Sequence, residues 1–248
     1  MRGANRRRLV KMSPEFDVDR IGLIIFSDIK EDSQPLARSI VNNLNAVRTH
    51  YLEYIEALAL RELCARQSTK EYEEWKIRSS SETFRESPPN VDGLWSKWEP
   101  LAVRAACMAL RDYLFALEPL QRGFRNIEEW RERVDGKMLR DARRRFDEFF
   151  PNIERARHSV AHPEGYNQPN HGHAVKGTIE LPDGSVLIKN ASAATLKVMT
   201  GSHYMVTYKG QVISVNMSPE ASRFLKENVF QIYKAFEPIV YQFSKGLF

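Results

Sequence analysis

Two cysteines in 248 residues, Cys64 and Cys107, are too few and too far apart for a disulfide framework or a CxxC redox or metal motif. Each falls in a helical apolar pattern, which predicts a reduced core thiol in a cytosolic protein. Long apolar runs are missing too. The Ile21–Phe26 run is far shorter than the ~20 residues a membrane helix needs, and no small-residue cleavage signal follows it. It is expected to be a buried strand or packing segment, and the chain to be soluble, cytoplasmic and without a membrane partner. There is no GxxxxGK loop, no GxGxxG fingerprint and no GxSxG elbow, so nucleotide hydrolysis, dinucleotide chemistry and serine-esterase chemistry have no motif to rest on. No internal repeat or low-complexity segment is present.

What the chain does have is apolar content for a substantial core, 42% of its residues, enough for one large domain or two small ones. Its formal charge of +5 and pI of about 9.2 favour a polyanionic partner. Arg2 and the Arg6-Arg7-Arg8 run could touch nucleic acid, although a short basic terminus is expected to be disordered.

Apolar residues at helical spacing (Ile40, Leu44, Val47, Tyr51, Tyr54, Ile55, Leu58 and Leu63) predict one long helix from Pro35 to about Gln67, with Lys70 to Arg78 helical as well. The Ser79-Ser80-Ser81 run, Pro88-Pro89-Asn90 and Asp92-Gly93 mark an exposed connection. A second main helix is expected from about Leu94 through Leu117, kinked or restarted at Pro100, with an alanine-rich face for close packing. Asn126 is expected to cap the next helix, and Asp135-Gly136 interrupts the pattern before Met138 to Phe150. Beyond the polar loop of residues 167–174 the period changes to two, over Val175 to Leu181, Ser185 to Lys189, Thr195 to Met199, Tyr204 to Tyr208 and Gln211 to Val215. Pro182-Asp183-Gly184 and Lys209-Gly210 supply turns, which together predict a small antiparallel sheet of four or five strands. Ser218-Pro219-Glu220 then starts a last helix that Pro238 bends or breaks.

Chemistry concentrates between Phe149 and Tyr166, where Arg155, Arg157, His158 and His162 fall within eight residues. Pro151 suits the first turn of a helix running from Asn152 to about Ala161, and Pro163 biases His162 out of the helix. Arg155, His158 and His162 share one face, whereas Arg157 and His162 lie roughly 140° apart around an ideal axis. Histidine moves protons near neutrality, and arginine offers a planar, permanently charged fork to phosphate oxygens. An RNA 2′-hydroxyl attacking its own phosphate needs both and requires no metal. On Arg140, Arg143 and Arg144 the helix before the motif offers a further nucleic-acid-binding surface; Asp141, Asp147 and Glu148 interleave with them, so a salt-bridged solvent face is the competing reading.

Arg157-His158-Ser159-Val160-Ala161-His162 resembles the Arg-(four to six residues)-His motif of the HEPN superfamily, with a polar residue directly after the arginine; Arg155 to His162 fits the six-residue spacing, but Ala156 follows it. The resemblance implies a mainly α fold, a HEPN-like antiparallel helical bundle; the small antiparallel β-sheet departs from a minimal bundle of that kind and is expected to be an insertion between the motif and the last helix, α+β overall. The whole of 1–248 is then one domain, with an N-terminal extension over 1–34, the bundle with its motif over 35–166, the β insertion over 167–217 and a closing helix over 218–248. It further implies a metal-independent endoribonuclease with a toxin or defence role, acting without cofactor as a homodimer, with RNA as substrate and an antitoxin or other protein as partner. His162 would be the general base and Arg157, helped by Arg155, the phosphate-stabilising group, with His158 or Glu164 as acid or orienting group. The alternative is a non-catalytic HEPN-like module that binds nucleotide, RNA or a protein partner through the same cleft. Two plainer readings compete: arginines on a solvated helix face with His162 at its end, and a metal site of His158 and His162 at i, i+4 with His171 and His173 nearby, though without the glutamate of an HExxH motif.

Overall fold

The computed structural model describes residues 21–26, 29–80, 88, 93–161, 174–181 and 184–245. The fold is mainly helical with a small antiparallel β segment. In order the elements are β1 (Ile21–Phe26), α1 (Gln34–Ser79), α2 (Leu94–Gly123), α3 (Glu128–Arg131), α4 (Gly136–Phe149), α5 (Ile153–Ala161), β2 (Val175–Glu180), β3 (Val186–Ala194), β4 (Lys197–Thr200), β5 (His203–Tyr208), β6 (Gln211–Asn216), α6 (Pro219–Phe236) and β7 (Val240–Lys245). The basic N-terminal run, His162, Glu164, His171, His173, most of the connection between α1 and α2, and Pro182-Asp183 lie outside the described residues.

The chain divides into two compact units, the first of residues 1–52, 112–151 and 220–248, the second of 53–111 and 152–219. Both α1 and α2 contribute to each.

In the first unit, α1 buries Ile40, Leu44, Val47 and Tyr51 at steps of four, three and four, the stripe that makes this stretch helical. Leu139, Ala142 and Phe146 do the same for α4, whose remaining positions are largely charged. Asp135 starts α4 by accepting a hydrogen bond from the Met138 N–H at 2.9 Å, an N-cap. Gly136 is required beside it, because a Cβ there would stand 2.8 Å from the Phe124 ring. Asn228, fully buried on α6, accepts from the Tyr113 hydroxyl at 2.7 Å and donates to the Ala142 carbonyl at 2.9 Å, so one side chain ties α2, α4 and α6 together with its polar atoms satisfied. Tyr233 donates to the Leu44 carbonyl at 3.0 Å, joining α6 to α1. After α6 the chain turns through a 3-10 turn, Glu237–Ile239, into β7, which pairs antiparallel with β1.

In the second unit β2 pairs with β3, while β4, β5 and β6 form an antiparallel meander. Lys209 and Gly210 take φ of 47° and 72° between β5 and β6, the left-handed pair that a two-residue hairpin turn demands. Thr207, fully buried, accepts the Leu196 N–H on its hydroxyl at 3.0 Å and donates its own N–H to the Leu196 carbonyl at 3.1 Å. Ser159 of α5 donates to the Thr207 carbonyl at 3.3 Å, which fastens the helix onto β5.

Several local expectations are corrected. Helix α1 runs unbroken to Ser79, and its buried stripe continues through Ala57 and Cys64 while Leu63 is exposed. Helix α2 continues through Pro100 as a single element, so the helix does not start afresh there. Asn126 closes a 3-10 turn, Phe124–Asn126, and extended Ile127 precedes α3 with no side-chain cap. Pro151 lies ahead of α5; the left-handed residue Asn152, φ 65°, starts it instead, its carbonyl accepting from the Arg155 and Ala156 N–H groups. Five strands lie between α5 and α6, but in two sheets, and β7 was not anticipated.

Candidate functional site

Helix α5 carries the motif residues. Ile153, Ala156, Ser159 and Val160 are buried, which leaves the charged side chains on the remaining faces. Arg155 and His158, one turn apart, both meet the β5–β6 hairpin: the Arg155 guanidinium donates to Gln211 Oε1 at 3.0 Å, and the His158 ring stands edge-on to Tyr208 with centroids 5.3 Å apart. On the same tyrosine the Lys209 ammonium sits 5.4 Å from the ring centroid. The hairpin tip and α5 thus assemble arginine, histidine, lysine and an aromatic ring in one place.

Arg157 has different surroundings. It is half-buried, its Nε is shielded from solvent without a hydrogen-bond partner, and among the described residues it makes no ion pair. A buried donor left unmatched is costly unless an acceptor arrives, and a guanidinium's natural acceptor is an oxyanion. His162, the other half of the motif, is among the residues not described.

The arginines of α4 lie in the first unit. Arg143 donates to Glu118 at 2.9 Å and to Asp147 at 2.8 Å, and Arg144 to Asp141 at 3.1 Å. Burial works against the Arg143 charge, but hydrogen bonds to the two carboxylates outweigh it and its pKa is raised. Arg140 is exposed, with no ion pair among the described residues.

Cys64 and Cys107 are buried free thiols. Burial pushes Cys107 up to about 12 and also raises Cys64, with the Glu99 carboxylate adding to the effect, so neither is an activated thiolate. Among the described residues no group of three or more His, Cys, Asp or Glu side chains could hold a metal, and no helix is long and apolar enough to cross a membrane.

Sequence reasoning missed the partners that the hairpin supplies. Gln211 lies 56 residues from Arg155, and no local pattern couples them. The one available signal was the Lys-Gly turn, which predicts where Tyr208 sits at the hairpin end. Comparison of the chain with protein-family models, curated proteins and solved structures finds no match.

Proposed function

We propose that this chain is a metal-independent endoribonuclease of the HEPN type with a toxin or defence role, working as a homodimer and held in check by a protein partner. His162 takes the proton from an RNA 2′-hydroxyl. The 2′-oxygen bonds to the adjacent phosphorus, the bond to the 5′-oxygen breaks, and His158 gives that oxygen its proton, leaving a 2′,3′-cyclic phosphate and a 5′-hydroxyl. Arg157, helped by Arg155, stabilises the charge gathering on the phosphate oxygens.

The observation that carries this reading is the Arg157 guanidinium, half-buried in the motif helix with Nε awaiting an acceptor. Support comes from the hairpin: cationic side chains interleaved with a half-buried aromatic suit a ribose-phosphate strand.

The test uses an oligonucleotide that is 2′-deoxy except at one ribonucleotide, incubated with the protein in a metal chelator. Cleavage at that ribonucleotide with a cyclic phosphate end is expected, and His162→Ala is expected to slow it by at least about a hundredfold. A requirement for divalent metal, or unchanged cleavage by His162→Ala, contradicts the mechanism. Tight RNA binding without any cleavage points instead to the non-catalytic module.

A further inference from the structure

The second unit contains a cavity of about 610 Å³ that the nuclease reading does not use. Its size falls within the ~300–1,000 Å³ common to small-molecule sites. The wall is apolar where Leu101 and Val103 of α2, Val160 of α5, and Val198 and Met199 of β4 meet; Leu101 and Val198 expose apolar surface to solvent, 55% and 36%. That exposure is unfavourable in water and is relieved by an apolar occupant.

The charge at the rim sets the sign of that occupant. Glu99 is the acidic group in the lining, and it faces Arg61 at 3.4 Å, whose Nη2 also donates to the Gly201 carbonyl at 2.9 Å. The pair is neutral as a unit. Arg104 and Lys197 also line the cavity, and Arg104 has no ion pair among the described residues. Arg104 therefore gives the apolar lining a cationic edge.

We propose that this cavity is a binding site for a small organic anion with an apolar body, a free medium-chain carboxylate. The acyl chain packs on Leu101, Val160, Val198 and Met199, and the carboxylate meets the Arg104 guanidinium. Because Val160 belongs to the same helix as Arg157, an occupant rests directly against the motif helix. The proposal stands whether or not the chain cleaves RNA.

Calorimetric titration of the full chain with octanoate, octanol and octylammonium tests it. Octanoate is expected to bind with Kd below about 1 mM, at least about tenfold tighter than octylammonium. Arg104→Glu, a change at an exposed position, is expected to weaken octanoate by about tenfold or more while leaving octanol unchanged. Leu101→Asp, also at an exposed position, is expected to weaken both. Absence of octanoate binding, equal affinity for octylammonium, or an Arg104→Glu variant that binds octanoate as before overturns the proposal. So does association with anionic lipid vesicles in place of binding to monomeric octanoate.

Discussion

Helices α4 and α5 are neighbours in sequence and both rich in arginine, yet their arginines meet different partners. On α4, Arg143 lies against Glu118 and Asp147, Arg144 against Asp141, and Arg145 within 3.8 Å of Glu227. On α5, Arg155 is held by a neutral amide and Arg157 keeps a shielded Nε without an acceptor. A guanidinium matched to carboxylates is a structural group, with its charge already answered. One that is half-buried, with its Nε lacking an acceptor and no ion pair among the described residues, is the one we propose meets a ligand. Spacing alone does not make the difference: Asp141 and Asp147 stand three and four residues from arginines of their own helix and pair with them, whereas Glu154, the single acid of α5, stands three residues before Arg157 and forms no ion pair with it.

The largest effect is expected where α4 is anchored. Asn228→Leu strands the Tyr113 hydroxyl and removes a bond to the Ala142 carbonyl, which should destabilise the protein by about 2–3 kcal/mol in urea denaturation. Adding Tyr113→Phe should recover part of that loss, because the stranded hydroxyl is gone. A loss under about 0.5 kcal/mol for Asn228→Leu contradicts the account of the anchor.

Alkaline pH separates the buried thiol from the buried tyrosines next. Cys107, in the second unit, keeps its proton up to about 12 against an ordinary 9.0, so the folded state holds a proton that the unfolded chain releases. That stability is complete below pH 9.0 and is lost as pH rises toward about 12. Burial raises Tyr113 and Tyr233 of the first unit above their ordinary 10.0, so their contribution begins to fall at higher pH. Thermal melts should show stability declining from pH 9.0 upward, and Cys107→Ala should flatten the part of the decline below pH 10.0. An unchanged slope in Cys107→Ala contradicts this.

The smallest effects sharpen the arginine comparison directly. Arg143→Ala gives up two carboxylate partners and should cost about 1 kcal/mol, while Arg155→Ala, exposed and bonded to one neutral amide, should cost less than about 0.5 kcal/mol. Equal costs in denaturant titrations would mean that the carboxylates on α4 do not distinguish the two sets.

Much of this was readable from spacing. The Ile40-Leu44-Val47-Tyr51 stripe identifies α1, Pro219 opens α6, and Lys209-Gly210 turns the hairpin where its left-handed preference requires. The acid-arginine alternation on α4 foretold its ion pairs, because i, i+3 and i, i+4 neighbours are local. Distant pairings were not legible. Strand β7 is a short run after Pro238 whose partner β1 lies at the other end of the described chain, and the Gln211 and Tyr208 contacts to α5 depend on the meander folding back. Asn126 has a good capping side chain, but a 3-10 turn uses that position first. The cavity has no sequence signature, since its lining is drawn from five separate elements.

The central claim is that Arg157, rather than Arg155, is the guanidinium reserved for phosphate. Single-turnover RNA cleavage by the two alanine variants tests it most directly: Arg157→Ala should be slower by about 10²–10³-fold and Arg155→Ala by no more than about threefold. Equal losses, a larger loss for Arg155→Ala, or no cleavage by the unsubstituted protein would contradict it.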